Sequence, residues 1–134
     1  MDIYDALVAK IKATPAITAL IGTRLYPDEI PQGDALPAVY YQTISDVKDH
    51  HLTGQLELEK PMIQFTVQAA TKNSAADVAE AIKTALVDYQ GTISGVQIQY
   101  IRLENEIPSF YRASDGIKAH YTHDLEFQVF FVKE

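Results

Sequence analysis

The chain has 134 residues, no cysteine and a formal net charge of −7, from 18 acidic and 11 basic side chains. This length predicts a single domain over residues 1–134, large enough to bury a core without disulfides or metals. The missing thiols exclude disulfide scaffolding, thiolate catalysis and Cys-ligated zinc. Acidity without a Lys or Arg cluster argues against independent or sequence-specific nucleic-acid binding and against docking on anionic lipid.

The first residues predict neither a secretory signal nor a membrane anchor. Residues 1–5 carry acid where a signal peptide carries base. No apolar run in the sequence approaches the roughly 20 residues that cross a bilayer. We therefore expect a protein made in a cytoplasm, with no membrane partner.

Two short helices are predicted at the start of the chain. Apolar residues recur every fourth position from Ile3 to Ile11, and Asp2 stands before them as a candidate N-cap. A second helix is predicted to start at Thr14, where proline follows, and to stop at Gly22. Prolines then predict an irregular loop that runs to residue 37.

The next segment predicts two strands joined by a polar excursion. Residues 38–44 are β-branched and aromatic, which favours a strand, and residues 55–70 predict one long strand. Between them, residues 46–54 lack any periodic pattern. Long connections in a compact domain are frequent binding segments, so the excursion is a candidate interaction site.

A helix is predicted directly after the long strand. Ser74 and Asp77 have the spacing of a capping box, which satisfies backbone amides of the first helical turn. Apolar residues then follow a helical period, and we expect them to pack on the sheet: Val78, Ala81, Ile82, Ala85, Leu86 and Tyr89.

The last third of the sequence predicts two more strands. Alternation indicates a strand from Val96 to about Leu103, and the longest alternating run of the chain covers residues 121–131. Between them the pattern is lost over residues 104–116, a second predicted excursion. We expect both excursions to be mobile in the free subunit and to become ordered on assembly.

These elements predict an α+β fold with the order ααββαββ. A mostly antiparallel sheet of about four strands would carry a crossover helix and the short N-terminal helical pair on one side. The interaction candidates are polar residues of the first excursion and aromatic, apolar or basic residues of the second: Asp46, Asp49, His50, His51, Ile107, Phe110, Tyr111 and Arg112.

Catalytic and metal-binding patterns are missing from the sequence. His120 and His123 are three apart in a predicted strand and would point to opposite faces, so they could not share a metal. Glu104 and Glu106 would share a strand face, which is more often an acidic solvent face than a catalytic pair. No serine lies in a nucleophile elbow and no glycine-rich phosphate loop is present. We expect no enzyme activity, no metal and no cofactor.

Several structural motifs follow one another along nearly the whole chain: Pro15-Ala16-Ile17, residues 20–27, residues 31–42, residues 49–54, Gln68-Ala69-Ala70 and residues 125–129. In their order and spacing, these segments resemble the small tail-completion proteins of long-tailed bacteriophages and prophages.

The resemblance implies a structural virion protein at the junction of tail and neck. Such a protein caps the tail tube as a ring, commonly a hexamer, and its partners are other copies of itself, the tail-tube protein and the capsid neck or connector protein. A net negative charge would keep passing DNA from sticking to such a ring.

Two other functions fit the same sequence. A small enzyme or ligand-binding domain could use the loop at 46–54, with His50 and His51, and would require a concave pocket with convergent polar groups. A cytoplasmic protein-interaction adaptor could use the same fold with a different partner.

Overall fold

The computed structural model describes residues 2–31, 33, 35–47, 58–114, 116 and 118–133, without the side chains of Asp46, Val47 and Lys133. Within those ranges the elements follow the order ααβββαβββ. The helices are α1 Ile3–Lys12, α2 Pro15–Ile21 and α3 Lys72–Leu86. The strands are β1 Leu25–Pro27, β2 Ala38–Val47, β3 Leu58–Ala69, β4 Gly91–Ile93, β5 Val96–Tyr111 and β6 His120–Lys133.

The six strands form one mixed sheet that curls into a half-barrel, in the order β1-β2-β3-β6-β5-β4. β1 is parallel to β2, and every other pair is antiparallel. The predicted fold, a sheet of about four strands in the order ααββαββ, is therefore wrong. β1 and β4 have three residues each, too few for an alternating pattern to appear in the sequence, and their pairing with β2 and β5 defines them.

The N-terminal helices begin and end where the sequence predicts. The side chain of Asp2 accepts a hydrogen bond from the backbone N–H of Asp5 at 2.9 Å, and the two residues form a reciprocal capping box. Pro15 occupies the first turn of α2, and Gly22 ends that helix with a φ of +60°. At this φ glycine avoids the steric cost that a Cβ would add.

α3 begins earlier than the sequence pattern predicts. Thr71 is the N-cap, and its hydroxyl accepts a hydrogen bond from the backbone N–H of Ser74 at 3.1 Å. The predicted capping box of Ser74 and Asp77 is wrong, because both residues already lie inside the helix. Threonine and serine can both cap the first turn of a helix. The sequence therefore offers two possible helix starts, three residues apart.

The predicted excursion at 104–116 is largely strand. β5 continues to Tyr111 and pairs with β6 as far as His120. The alternating pattern disappears because the pairing register shifts twice, once at Gln99 and once at Glu104, where β5 has one residue more than β6. Each such bulge moves the following side chains to the other face, which hides the period of two.

The core lies between the helices and one face of the sheet. Phe65 of β3 and Phe127 of β6 are 1% and 0% exposed, and their rings meet edge to face with centroids 5.9 Å apart. Helical side chains close over them, including Leu7 of α1 and Ile82 of α3. One cluster therefore joins all the layers. No helix in the described ranges is both long and apolar enough to cross a membrane.

Candidate protein-interaction surfaces

The predicted interaction residues divide into two groups in the structure. Asp46 lies on β2, where its backbone pairs with Pro61, while Asp49, His50 and His51 lie outside the described residues. Ile107, Phe110, Tyr111 and Arg112 lie in the final part of β5 and just beyond it. The second group is therefore carried by a paired strand, and its side chains have fixed directions.

The pairing register separates the aromatic residues of β5 onto two faces of the sheet. Phe110 lies opposite Tyr121 on the helix-bearing face, and their ring centroids are 4.8 Å apart. Tyr111 lies opposite His120 on the other face, and their rings stack at 5.1 Å. Phe110 and Tyr111 are each 51% exposed, so this end of the hairpin presents apolar surface in both directions.

A largely apolar cleft of about 400 Å³ opens beside Phe110. It lies between the first turn of α3 and the adjoining ends of β5 and β6, and we call it the aromatic groove. Its main lining residues are Lys72, Ala75, Ala76, Pro108, Phe110 and Tyr121. The alanines leave room for a side chain from outside, while the two rings supply apolar contact area.

A polar cluster fixes α3 to the strands next to the groove. The Nζ of Lys83 donates to both carboxylate oxygens of Glu106, at 3.0 and 3.2 Å, and His123 Nε2 lies 2.6 Å from Glu106 Oε1. Glu80 also pairs with Lys83, at 3.0 Å. All three central side chains are at most about a third exposed. The cluster is a structural tie between helix and sheet.

The charges of this cluster shift each other's pKa values. The hydrogen bond from Lys83 holds the pKa of Glu106 below its ordinary value, against the opposing effect of burial, and His123 adds to the lowering. Burial disfavours the charged form of Lys83, but hydrogen bonds to Glu80 and Glu106 outweigh it and raise the pKa of Lys83. Both partners are therefore more firmly ionised than in water.

We expect Glu106→Gln to destabilise the protein by about 1–3 kcal/mol at neutral pH, because a charge-assisted tie is lost. A lowered carboxyl pKa gives stability that is present above the ordinary Glu pKa and lost as pH falls through the folded value. The raised pKa of Lys83 gives stability that is lost as pH rises through its own folded value.

Urea unfolding of wild type and Glu106→Gln across pH checks this prediction. The difference in unfolding free energy should form a plateau at neutral pH and shrink at both acidic and strongly alkaline pH. Glu104→Gln is the control, because Glu104 has a similarly exposed side chain but pairs with Arg102 on the other side of the sheet, away from α3. Equal, pH-independent effects of the two variants would contradict the assignment.

Of two predictions about the faces of ionisable residues, the one for the histidines is confirmed and the one for the glutamates is wrong. His120 and His123 do lie on opposite faces, as predicted, since one stacks on Tyr111 and the other contacts Glu106. The predicted shared face of Glu104 and Glu106 is wrong, because the bulge at Glu104 places their carboxylates on opposite sides of the sheet. No group of three or more potential metal ligands occurs within the described ranges.

The opposite edge of the sheet carries a second, acidic cleft of about 320 Å³. Its polar lining comes from the start of α1, the end of β1 and the middle of β2, and includes Asp2, Asp5, Asp28, Tyr41, Gln42 and Thr43. Burial, followed by the charges of Asp5, Asp2 and Asp28, raises the pKa of the Tyr41 hydroxyl. The three carboxylates therefore act together at this edge.

The sequence does not show that the residues of the aromatic groove lie together. Its pattern places Lys72, Ala75 and Ala76 before and in the first turn of a helix and Tyr121 in a strand, and it does not connect them to Phe110. Contact between Phe110 and the α3 residues, which are 34 to 38 positions away in sequence, follows from strand pairing and helix placement. The exposed aromatic residues alone were visible as candidates.

Comparison with known proteins gives one family match and a structural neighbour. The sequence model of the family described as Tail completion protein gp17 matches residues 5–131. A chain in the solved structure of the "Virion of native gene transfer agent (GTA) particle" is 19% identical, with a TM-score of 0.71. That alignment covers 97% of this chain and 94% of the other, and at such low identity it shows a shared fold. No curated protein gives a match.

Proposed function

The chain belongs to the tail completion protein gp17 family and is a structural protein of the phage tail, and on that premise we propose that it joins the tail to the capsid. In this proposal it caps the tail tube as one subunit of a ring, commonly a hexamer, and contacts the neck or connector protein on the other side. The observation that carries the proposal is the family match over residues 5–131.

The placement of buried and exposed apolar residues supports a protein that acts by binding other proteins. The buried side chains form one apolar cluster between helices and sheet, while exposed aromatic residues lie at the end of β5. A single domain over 1–134 with exposed aromatic patches would suit a subunit that fits between other proteins. We propose that the tail-facing and neck-facing contacts include Asp46, Asp49, His50, His51, Ile107, Phe110, Tyr111 and Arg112.

The charge of the chain suits a ring through which DNA passes. A subunit with a net charge of −7 repels the phosphate backbone, and salt screens that repulsion beyond about 10 Å. The ring would therefore let DNA slide without binding it. Such a role needs neither catalysis nor a cofactor.

The test is assembly in a phage whose genome lacks this coding sequence. Negative-stain images of the lysate should show complete heads and complete tails that are not joined, and supplying the chain from a plasmid should restore joined particles and infectious titre. Normal particles without the chain, or a lysate without tails, would contradict the proposal.

The double variant His50→Ala, His51→Ala tests the enzyme or ligand-binding alternative. If the chain is a structural joining protein, this variant should lose titre only to the extent that it loses head-to-tail joining, because His50 and His51 are among the proposed contacts. Loss of function in a variant that folds and joins heads to tails normally would favour chemistry in the 46–54 segment.

A further inference from the structure

Most of the large exposed apolar residues that the structure describes lie on one strand, β5. Among the described residues, the large apolar side chains that are at least a third exposed are Leu20, Ile44, Leu58, Tyr100, Ile107, Phe110 and Tyr111. Four of them lie on β5, next to one edge of the sheet. Ile44 lies on β2 at the other edge and is 46% exposed. Exposed apolar surface of this kind marks protein contacts.

The aromatic groove on the β5 side has a basic rim. Lys72 lines it, and the exposed Arg112 and Lys118 lie in the segment that connects β5 to β6. Neither Arg112 nor Lys118 makes an ion pair with a described residue, while the nearby Glu80 and Glu106 both pair with Lys83. The groove and the segment beside it therefore present exposed basic side chains on a chain that is negative overall.

The β2 side of the sheet carries an exposed apolar residue and an acidic cleft, which complement the apolar aromatic groove and its basic rim. Ile44 is the extra residue where the pairing of β2 with β3 shifts between Thr43 and Ser45, so it protrudes from the strand. Thr43, directly before it, lines the acidic cleft of Asp2, Asp5 and Asp28. This edge thus carries an exposed apolar residue directly after one that lines a cleft with three carboxylates.

The edge of β5 is poorly suited to accept a further strand. Pro108 has no N–H to donate, and the N–H of Glu106 is already bonded to the side chain of Asn105 at 2.9 Å. The bulges at Gln99 and Glu104 disturb the edge as well. A partner on this side is therefore held by side chains in the groove.

We infer that the occupant of the aromatic groove is a second copy of this chain, which inserts Ile44 between Phe110 and α3 and faces its acidic cleft toward the basic rim. The inference rests on the proposed ring and names its subunit contact. The two surfaces differ and lie at opposite edges of one sheet, so the contact is heterologous and leaves both ends of a dimer free. Repetition of such a contact closes a ring when the rotation allows it.

Thiol crosslinking tests the contact, because the chain contains no cysteine. In the double variant Ala76→Cys, Ser45→Cys, which keeps Phe110 and Ile44, a short bifunctional maleimide should produce a ladder of covalent multimers that ends at a closed species. The purified chain at high concentration and particles from the complemented phage are both treated. The matched control is Ala76→Cys, Leu20→Cys, since Leu20 is also exposed but lies on α2.

Charge reversal adds a second readout. Arg112→Glu in the double-cysteine background should lower the yield of multimers about tenfold, because it places like charges in contact. Asp5→Lys in the same double-cysteine background should also lower the yield of multimers. An equimolar mixture of the Arg112→Glu and Asp5→Lys variants should restore the ladder, since each contact between the two variants then pairs opposite charges. Lys12→Glu is the control for the change in net charge.

Crosslinking no higher than in the Leu20 control, in both the purified chain and the particles, would overturn the inference. So would dimers formed by the single variant Ala76→Cys, which indicate a symmetric contact. These results leave the proposed function standing if the wild-type chain still joins heads to tails. Failure of the wild-type chain in that complementation would instead count against the proposed function.

Discussion

Phe65→Ala is expected to lower the free energy of unfolding by about 3–5 kcal/mol. Phe65 is 1% exposed and contacts Phe127 at the centre of the sheet. The ring centroid of Tyr41 lies 6.0 Å from that of Phe65. Removing the ring loses apolar burial and aromatic contacts and leaves a cavity that strands paired on both sides cannot easily close.

Urea unfolding followed by far-UV circular dichroism and tyrosine fluorescence measures this change, since the chain has eight tyrosines and no tryptophan. Phe110→Ala is the matched control, because the same atoms are removed from a ring that is 51% exposed. We expect that variant within about 0.5 kcal/mol of wild type. A loss below about 1 kcal/mol for Phe65→Ala would show that this face is not the core.

Ile82→Ala is expected to cost about 2–4 kcal/mol. Ile82 is fully buried on α3 and belongs to the cluster that joins the helices to the sheet. The cavity dominates, because alanine recovers only a few tenths of a kcal/mol through its higher helix propensity. The loss would therefore measure how strongly α3 is held on the sheet.

Ile44→Ala is the control for Ile82→Ala, and the same denaturation experiment serves both. Ile44 is 46% exposed, so its replacement should leave the midpoint almost unchanged. A loss as large as that of Ile82→Ala would mean that the β2 edge is part of the core. Ile44→Ala and Phe110→Ala should in addition weaken self-association while remaining folded, which separates stability from assembly.

Features that depend on residues close together in sequence were predicted better than features that depend on distant residues. Asp2 as the cap of α1, Gly22 as the end of α2 and the strand near residues 121–131 depend on neighbours within a few positions, and all three were predicted correctly. The start of α3 was displaced by three residues because Thr71 and Ser74 both have capping side chains. Local signals thus located most elements but not every boundary.

Errors arose where a distant partner determines the conformation. β1 and β4 are too short to show periodicity, so only pairing with β2 and β5 makes them strands. The second half of β5 was taken for a loop because its two bulges interrupt the alternation that a regular strand would show. The predicted excursion at 104–116 was wrong over residues 104–111 for the same reason, and its expected mobility in the free subunit stays a prediction.

By itself the sequence determined the apolar faces of the helices and strands, the acidity of the chain and its similarity to tail-completion proteins. Those properties depend on residue identity, spacing and order alone. The tertiary structure decided that Phe110 meets Tyr121 and the first turn of α3, that Glu106 binds Lys83 and His123, and that Ile44 protrudes from the far edge. These contacts join residues distant in sequence, and strand register and bulges, which sequence periodicity does not encode, bring them together.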